Sequence, residues 1–301
     1  MLRYTLIGLI IMIGAVMAQE QTDSTSAVEE IARQAEETVK GGFKVIWDYR
    51  VLNDMADASR DTNKTGVIGL AWTPLTTTIG NEGAKEMATH PGWAAWLVKE
   101  LKQRNIGPGC RVAISLTGSF PALNLAVLAA LQELRVKVVG INSIGASSFG
   151  ANEYGFTWPE LETLLRDEGV LKVGCSAVTL GGTGDRGAEW DEYAKGLAYA
   201  CVKHSKLPLI EPNHLRDAVR RRMAFYGEPR GYFCFINVGG SQAVLGSGAK
   251  QRYNRGGWFY EPSPIKGDPQ GVFDYFLEAG VPCLNLLFID ELNKRERILQ
   301  P

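Results

Sequence analysis

The chain has 301 residues, 32 Lys+Arg against 33 Asp+Glu, a net charge near −1 and 45% apolar residues. These values exclude a disordered tail protein, a collagen-like fibre and a small disulfide scaffold, and leave enough surface to bury one large domain or two modest ones. The balanced charge also excludes a generally basic nucleic-acid coat, so no nucleic acid is expected as a partner, and a single long apolar segment excludes a polytopic transporter.

That segment comes first. Arg3 is followed by an uncharged run from Tyr4 to Gln19 containing LIGLIIMIGAVMA. Two readings of residues 1–18 stand side by side. Val16-Met17-Ala18 suits cleavage of a signal peptide after Ala18. An uncleaved anchor needs about 20 apolar residues, slightly more than the run supplies. A buried helix is disfavoured because no polar stripe interrupts the run. Arg3 precedes it, while Glu20, Asp23, Glu29 and Glu30 follow it before Arg33. That bias keeps the N-terminus in the cytoplasm. The expectation is a cell-membrane protein with one N-terminal span and an extracytoplasmic body, or a secreted or periplasmic one after cleavage.

Residues 19–60 read as a separate helical element. Thr25 or Ser26 can cap it, with Glu29 shortly after. Val28, Ile31, Ala35 and Val39 follow helical spacing, Gly41-Gly42 interrupts, and a second helix is expected from Phe43 to about Ala58. The element is a stalk or a helix packed on the main domain, because Trp47 and Tyr49 call for burial.

Residues 61–301 alternate. GVIGLAW, RVAISLTG, KVVGINSIG, KVGCSAVTLGG, LPLIE, GYFCFINVGG and CLNLLFI read as strands. Helices are expected over WAAWLVKELKQRN, PALNLAVLAALQEL, WPELETLLRDEG, AEWDEYAKGLAYACVKHS, NHLRDAVRRRMAFYG and GVFDYFLEAG, with a short charged helix at the end. Nearly continuous apolar strands alternating with helices indicate right-handed βαβ crossovers. The fold class is therefore α/β, an open, mostly parallel, doubly wound sheet. The stretch 246–260, GSGAKQRYNRGGWFY, reads as a long loop. Cys110, Cys175, Cys201, Cys234 and Cys283 form no CxxC pair and read as buried thiols acting as small hydrophobes.

The loops after the strands carry the chemical signal. TPLTTTIG, TGSFPALN, IGASSFGAN, GGTGDRG and GGSQAVLG are all rich in Gly, Ser and Thr. Open parallel sheets bind ligands outside the carboxyl ends of their strands, where glycines admit close backbone approach and hydroxyls supply donors. The candidate ligand residues are Thr76, Thr77, Thr78, Gly118, Ser143, Ser147, Asn152, Gly182, Gly184, Gly240 and Ser241. Ordinary turn chemistry explains any one loop, but five on one rim point to a site.

Ser119 precedes Pro121, which suits the first position of a helix, so Ser119 reads first as a cap or anion donor. As a nucleophile it lacks a GxSxG setting and would need one of His90, His204 or His214. Asp185, with Glu82, Glu153 and Glu261, is a loop carboxylate able to act as acid or base. Ser119 and Asp185 are the candidate catalytic residues. Gly182-x-Gly184-x-x-Gly187 also matches the dinucleotide fingerprint, and Glu211 lies 24 residues beyond Gly187, near where a ribose-binding acid belongs. A dinucleotide is thus the alternative to having no cofactor. No Walker A, HExxH, EF-hand or His/Cys cluster is present, so no metal is expected. Arg216, Arg220, Arg221 and Arg222 share a helix and read as a solvated face. Lys250, Arg252 and Arg255 interleave with Tyr253 and Trp258 beside GGSQ and could hold a polycarboxylate.

On TPLTTTIG, SLTGSFPALNLA, NSIGASSFGAN with FTWPELE, and LGGTGDRG, the chain resembles the poly-gamma-glutamate system protein family, over about residues 65–190. Members are similar in carrying one N-terminal hydrophobic segment and are associated with genes for synthesis and export of the polymer. The resemblance implies an accessory protein, membrane-tethered or secreted, whose partner is poly-gamma-glutamate or its synthase and export proteins. It carries over no catalytic residue. An amidase or transferase using Ser119, and a nucleotide-dependent enzyme using Gly182–Gly187, are the alternatives.

Overall fold

A computed structural model describes the backbone of residues 2–299 and the side chains of residues 25–299. Among the described residues no helix is long and apolar enough to cross a membrane. The signal or anchor expected at residues 1–18 lies outside the described side chains.

In chain order the elements begin with α1 (Leu2–Leu52), β1 (Thr76–Thr78), α2 (Glu82–Ala88), α3 (Gly92–Gln103), β2 (Arg111–Leu116), α4 (Pro121–Glu133), β3 (Lys137–Ser143), β4 (Ala146–Ser147), α5 (Trp158–Asp167) and β5 (Ala177–Thr179). Next come α6 (Glu192–Ser205), α7 (Leu215–Tyr226), β6 (Cys234–Val238), α8 (Gln242–Leu245), α9 (Ala249–Arg252), β7 (Gly257–Phe259), α10 (Val272–Glu278), β8 (Cys283–Leu286) and α11 (Ile289–Glu296).

Six strands form the main sheet in the order β5-β3-β2-β6-β8-β7. All its pairings are parallel except β7 with β8. The strands are buried on both faces, which is why they carry so few polar residues. Val112, Ile114 and Leu116 of β2 join the core formed with α1, α3, α4 and α5. Ala113, one residue out of phase, joins the core formed with α7, α8 and α10. This is the period of two expected of a strand covered on both sides. On the second face Tyr226, Phe235, Phe273 and Phe276 meet largely edge to face, with the Phe235 and Phe276 centroids 4.7 Å apart.

α4 is apolar on every side apart from Asn124, which bonds Thr117 O, and is buried from Pro121 to Leu131, because α1 and α3 cover the side away from the sheet. α1 supplies the outer layer through the stripe Ala32, Ala35, Val39, Phe43 and Ile46. Its C-terminal turn is fixed by Arg50, which donates to Glu153 at 2.8 Å and to the Gly66 carbonyl at 2.5 Å. Residues 25–52 are therefore packed on the body and share its core.

The structure corrects four local expectations. First, the glycine pair at 41–42 does not break α1, which runs unbroken through Thr25 and Ser26, so neither caps a helix start, and ends at Leu52 and not near Ala58. A Cβ at Gly42 would stand 2.7 Å from a Leu125 methyl, so that glycine lets α1 approach α4 closely. Burial of the stripe outweighs the helix-propensity cost of about 1 kcal/mol per glycine.

Second, GVIGLAW forms no strand. Its polar groups are met by the segment around Asn152: Gly69 N–H donates to Phe149 O, Phe149 N–H to Leu70 O, and the Asn152 side chain bonds both the N–H and the carbonyl of Leu70. The strand is instead the following Thr76–Thr78, paired parallel with β4. Third, LPLIE contributes only a bridge between Leu209 and Val178. Fourth, the long loop at 246–260 contains α9 and β7, an antiparallel edge strand. Cys175, Cys201, Cys234 and Cys283 are buried free thiols and Cys110 is half-buried.

Candidate functional site: a cleft at the sheet switch point

The sheet order sets where a ligand can enter. From β2 the chain moves to β3 and β5 on one side, then returns to β6 and β8 on the other. The crevice between the carboxyl ends of β2 and β6 is therefore a topological switch point, the usual ligand position in open α/β sheets. A cleft of about 360 Å³ lies there.

All five loops reach this cleft. Thr77 and Thr78 come from β1, Thr117 and Ser119 from the end of β2, Ser143 and Gly145 from β3. Gly181, Gly182 and Thr183 follow β5, and Gly240, Ser241 and Gln242 follow β6. β1 reaches the rim because it pairs with β4, which follows β3. The loops are cross-tied: Gly118 N–H donates to Gly145 O at 3.2 Å, Gly145 N–H to Leu180 O at 2.9 Å, and Gly184 N–H to Gln242 Oε1 at 2.9 Å. Gly182 has φ +64° and ψ −155°, a conformation open essentially to glycine alone.

Lys250 and Glu189 are the charged residues of the lining. Glu189 is engaged, accepting from Thr183 N–H at 2.8 and 3.1 Å. Hydroxyls and backbone thus outnumber ions, and the cleft suits a polar ligand held by many donors and one cation.

Under the floor lies a buried ion pair. Arg222 of α7 donates to Asp185 at 2.6 and 2.8 Å, and also reaches Ser115, Ser143 and Thr179 hydroxyls at 3.2, 3.1 and 2.9 Å. Both side chains are essentially inaccessible. Asp185 is therefore spent on Arg222 and does not face the cleft as an acid or base. Arg222, read from sequence as part of a solvated face, is its buried partner. Arg216, Arg220 and Arg221 do lie at the surface, paired with Asp268 at 2.5 Å and with Asp217 at 2.5 and 2.8 Å. Arg221, the Asn213 amide and Arg220 hold the Asp217 carboxyl well below its ordinary range.

Other sequence candidates fall beside the cleft. Thr76 and Asn152 are buried and bond each other at 2.9 Å, holding the β1 approach. Gly118 and Gly184 do not line the cleft but tie its loops through their N–H groups, to Gly145 O and Gln242 Oε1. Arg252 is buried against Asp274, the Ser247 and Leu245 carbonyls and Ile265 O. Arg255 turns to the carbonyls of Gly256 and Trp258 and stacks 4.2 Å from the Phe259 centroid. Of the three loop cations, Lys250 alone lines the cleft.

The Gly182–Gly187 stretch folds as a tight 3₁₀ turn closed by a Gly181–Arg186 bridge, and α6 begins only at Glu192, capped by Asp191. Glu211 is exposed and bonded to Tyr199. The glycines therefore do not open a helix onto a pyrophosphate position, which is the mechanical basis of the fingerprint.

Two groups escaped the sequence reading. Lys85 of α2 is buried, donates to Ser147 Oγ at 2.9 Å and to the Ser119 carbonyl, and stands 3.5 Å from the Phe120 centroid. Burial draws its pKa down to about 7. Glu162 of α5 accepts from Asn142 at 3.0 Å and from Cys175 N–H at 2.8 Å, yet burial raises its pKa to about 7. No motif marks either residue, and Lys85 lies on α2, a short helix absent from the expected elements. Ser119 Oγ accepts from Ser147 N–H at 3.1 Å, and no histidine lines the cleft.

The fold is α/β, with a polar, hydroxyl-lined cleft at the sheet switch point. Comparison with protein-family models, with curated proteins and with solved structures gives no match to this chain.

Proposed function

We propose that the protein binds poly-gamma-glutamate, through the switch-point cleft, as an accessory factor in making or exporting the polymer. The observation that carries this reading is the convergence of five Gly/Ser/Thr loops, distant in sequence, on one cleft with Lys250 at its edge. The resemblance of the same loops to the poly-gamma-glutamate system family supplies the ligand class. A γ-linked chain offers a carboxylate and an amide at each unit. The cleft answers with hydroxyl and backbone donors for the amide and one ammonium for a carboxylate. Residues 1–18 serve as the tether to the membrane, or as a signal removed after Ala18, leaving the body extracytoplasmic.

The test is a direct binding titration of the full-length chain with purified polymer. Lys250→Ala weakens binding and flattens its salt dependence by about one charge, since one cation faces the cleft. Gly145→Val displaces the cleft lining, because a Cβ there stands 2.7 Å from Thr77 Cγ2 and 3.2 Å from Gly182 N, and abolishes binding. Undiminished binding by a folded Gly145→Val protein refutes the site; absence of binding by the wild type at low salt refutes the ligand.

A further inference from the structure

A second pocket, of about 280 Å³, lies against the cleft and shares Thr78, Ser119 and Gly240 with it. Lys85 and Ser147 both line this pocket. The Lys85 Nζ to Ser147 Oγ distance is 2.9 Å, and the two residues are 3% and 4% exposed. Among the described residues Lys85 makes no ion pair. Its other contacts are the Ser119 carbonyl and the Phe120 ring. A buried ammonium without a counter-charge is unfavourable, and the neutral amine that replaces it is a base.

We propose that Ser147 and Lys85 form a nucleophile–base pair that performs acyl transfer on an amide bond, of the γ-glutamyl class if the neighbouring cleft holds the polymer. The substrate class rests on the binding reading above; the pair itself rests on the geometry of this pocket. Serine–lysine pairs are an established solution for activating a hydroxyl without histidine.

The chemistry balances with water as the second reactant. In the neutral amine the 2.9 Å bond reverses, Ser147 Oγ–H donating to the Nζ lone pair, and Nζ takes that proton as Oγ bonds the carbonyl carbon. The carbon–nitrogen bond then breaks, and the leaving amine takes that proton from Lys85. Water attacks the resulting ester, giving a proton to Lys85, which returns it to Ser147 Oγ. The net change is amide plus water to carboxylic acid plus amine. An amine acceptor in place of water gives transfer instead of hydrolysis.

The lowered pKa of Lys85 places much of it in the basic form near neutrality. The charged groups around it are few. Asp290 of α11 lines the same pocket without an ion pair to Lys85, while Glu82 and Glu86 share α2 with it. β4 and the start of α4 present Ser147, Ser119 and Phe120. Ser119 is the poorer nucleophile, since its Oγ accepts the Ser147 N–H and has no basic side chain bonded to it.

The experiment treats the full-length protein with a fluorophosphonate probe across pH 5.5 to 9 and maps the adduct by mass spectrometry. The expected result is one adduct on Ser147, absent in Ser147→Ala, with a wild-type rate that rises through about pH 7. Lys85→Met lowers the rate by about 100-fold or more and removes the pH dependence. Polymer chain length is followed in parallel, as is polymer binding by Ser147→Ala. An adduct elsewhere, no adduct on folded wild type, or an unchanged rate in Lys85→Met overturns the pair. If Lys85→Met does not fold, the wild-type pH profile and the Ser147→Ala result decide alone. Ser147→Ala that binds polymer normally but takes no probe separates loss of the chemistry from loss of the binding site.

Discussion

Lys85→Met makes the physical claim about the pocket measurable without any ligand. In the unfolded chain the Lys85 amine titrates near its ordinary 10.5; burial lowers this to about 7 in the folded protein. A lowered lysine pKa means the unfolded chain binds more protons between those values, so stability rises with pH across that window. Below pH 7 both states are protonated and the full desolvation cost is present. From pH 6 to pH 9 about two pKa units of that cost are relieved, or about 3 kcal/mol at 1.36 kcal/mol per unit. Methionine cannot titrate and keeps most of the buried stem's volume. Urea unfolding of both proteins, followed by tryptophan fluorescence at pH 6 and pH 9, gives the difference directly. Subtracting the variant cancels the tyrosines and cysteines common to both. The wild type should gain about 3 kcal/mol on the variant over this range. A difference that stays constant would show that Lys85 remains an ammonium with a compensating charge, and the base role would fall with it.

Two further substitutions probe the supports of the cleft. Asp185→Asn leaves Arg222 buried without its counter-ion, and should cost about 3–5 kcal/mol in urea melts; a loss below about 1 kcal/mol would mean that the guanidinium is satisfied by the Ser115, Ser143 and Thr179 hydroxyls alone. Glu162→Gln tests the buried carboxyl, whose raised folded pKa means stability is lost as pH climbs from 4.5 through about 7. The glutamine protein should therefore improve on wild type by about 2–3 kcal/mol between pH 5 and pH 8. That gain is offset at all pH values by one poorer bond to Asn142, whose Oδ1 is already taken by Trp158 Nε1. A pH-independent difference between the two melts would refute the assignment.

Much of the fold was legible because local pattern and tertiary structure agree. RVAISL, KVVGINS and, within GYFCFINV, the segment CFINV are strands because largely apolar runs need cover on both faces, and the sheet gives it. WPELETLLRD begins where Thr157 and Glu160 can cap it, and Thr157 Oγ1 donates to Glu160 at 2.7 Å. The misread segments share a cause. GVIGLAW has strand composition, yet its backbone groups are met by an asparagine 82 positions from Leu70. The β7 edge strand is short and glycine-led, so its pairing with β8 supplies what its composition lacks.

Sequence by itself determined the alternation of strands and helices and the hydroxyl- and glycine-rich loops between them, because periodicity and turn chemistry are local properties. Only the tertiary structure decided which of those loops share a cleft, that Asp185 is occupied by Arg222 and Arg252 by Asp274, and that Lys85 stands beside Ser147. Those assignments depend on burial and on partners dozens of residues away. A lysine on a short polar helix carries no mark in the chain that it will lose its water.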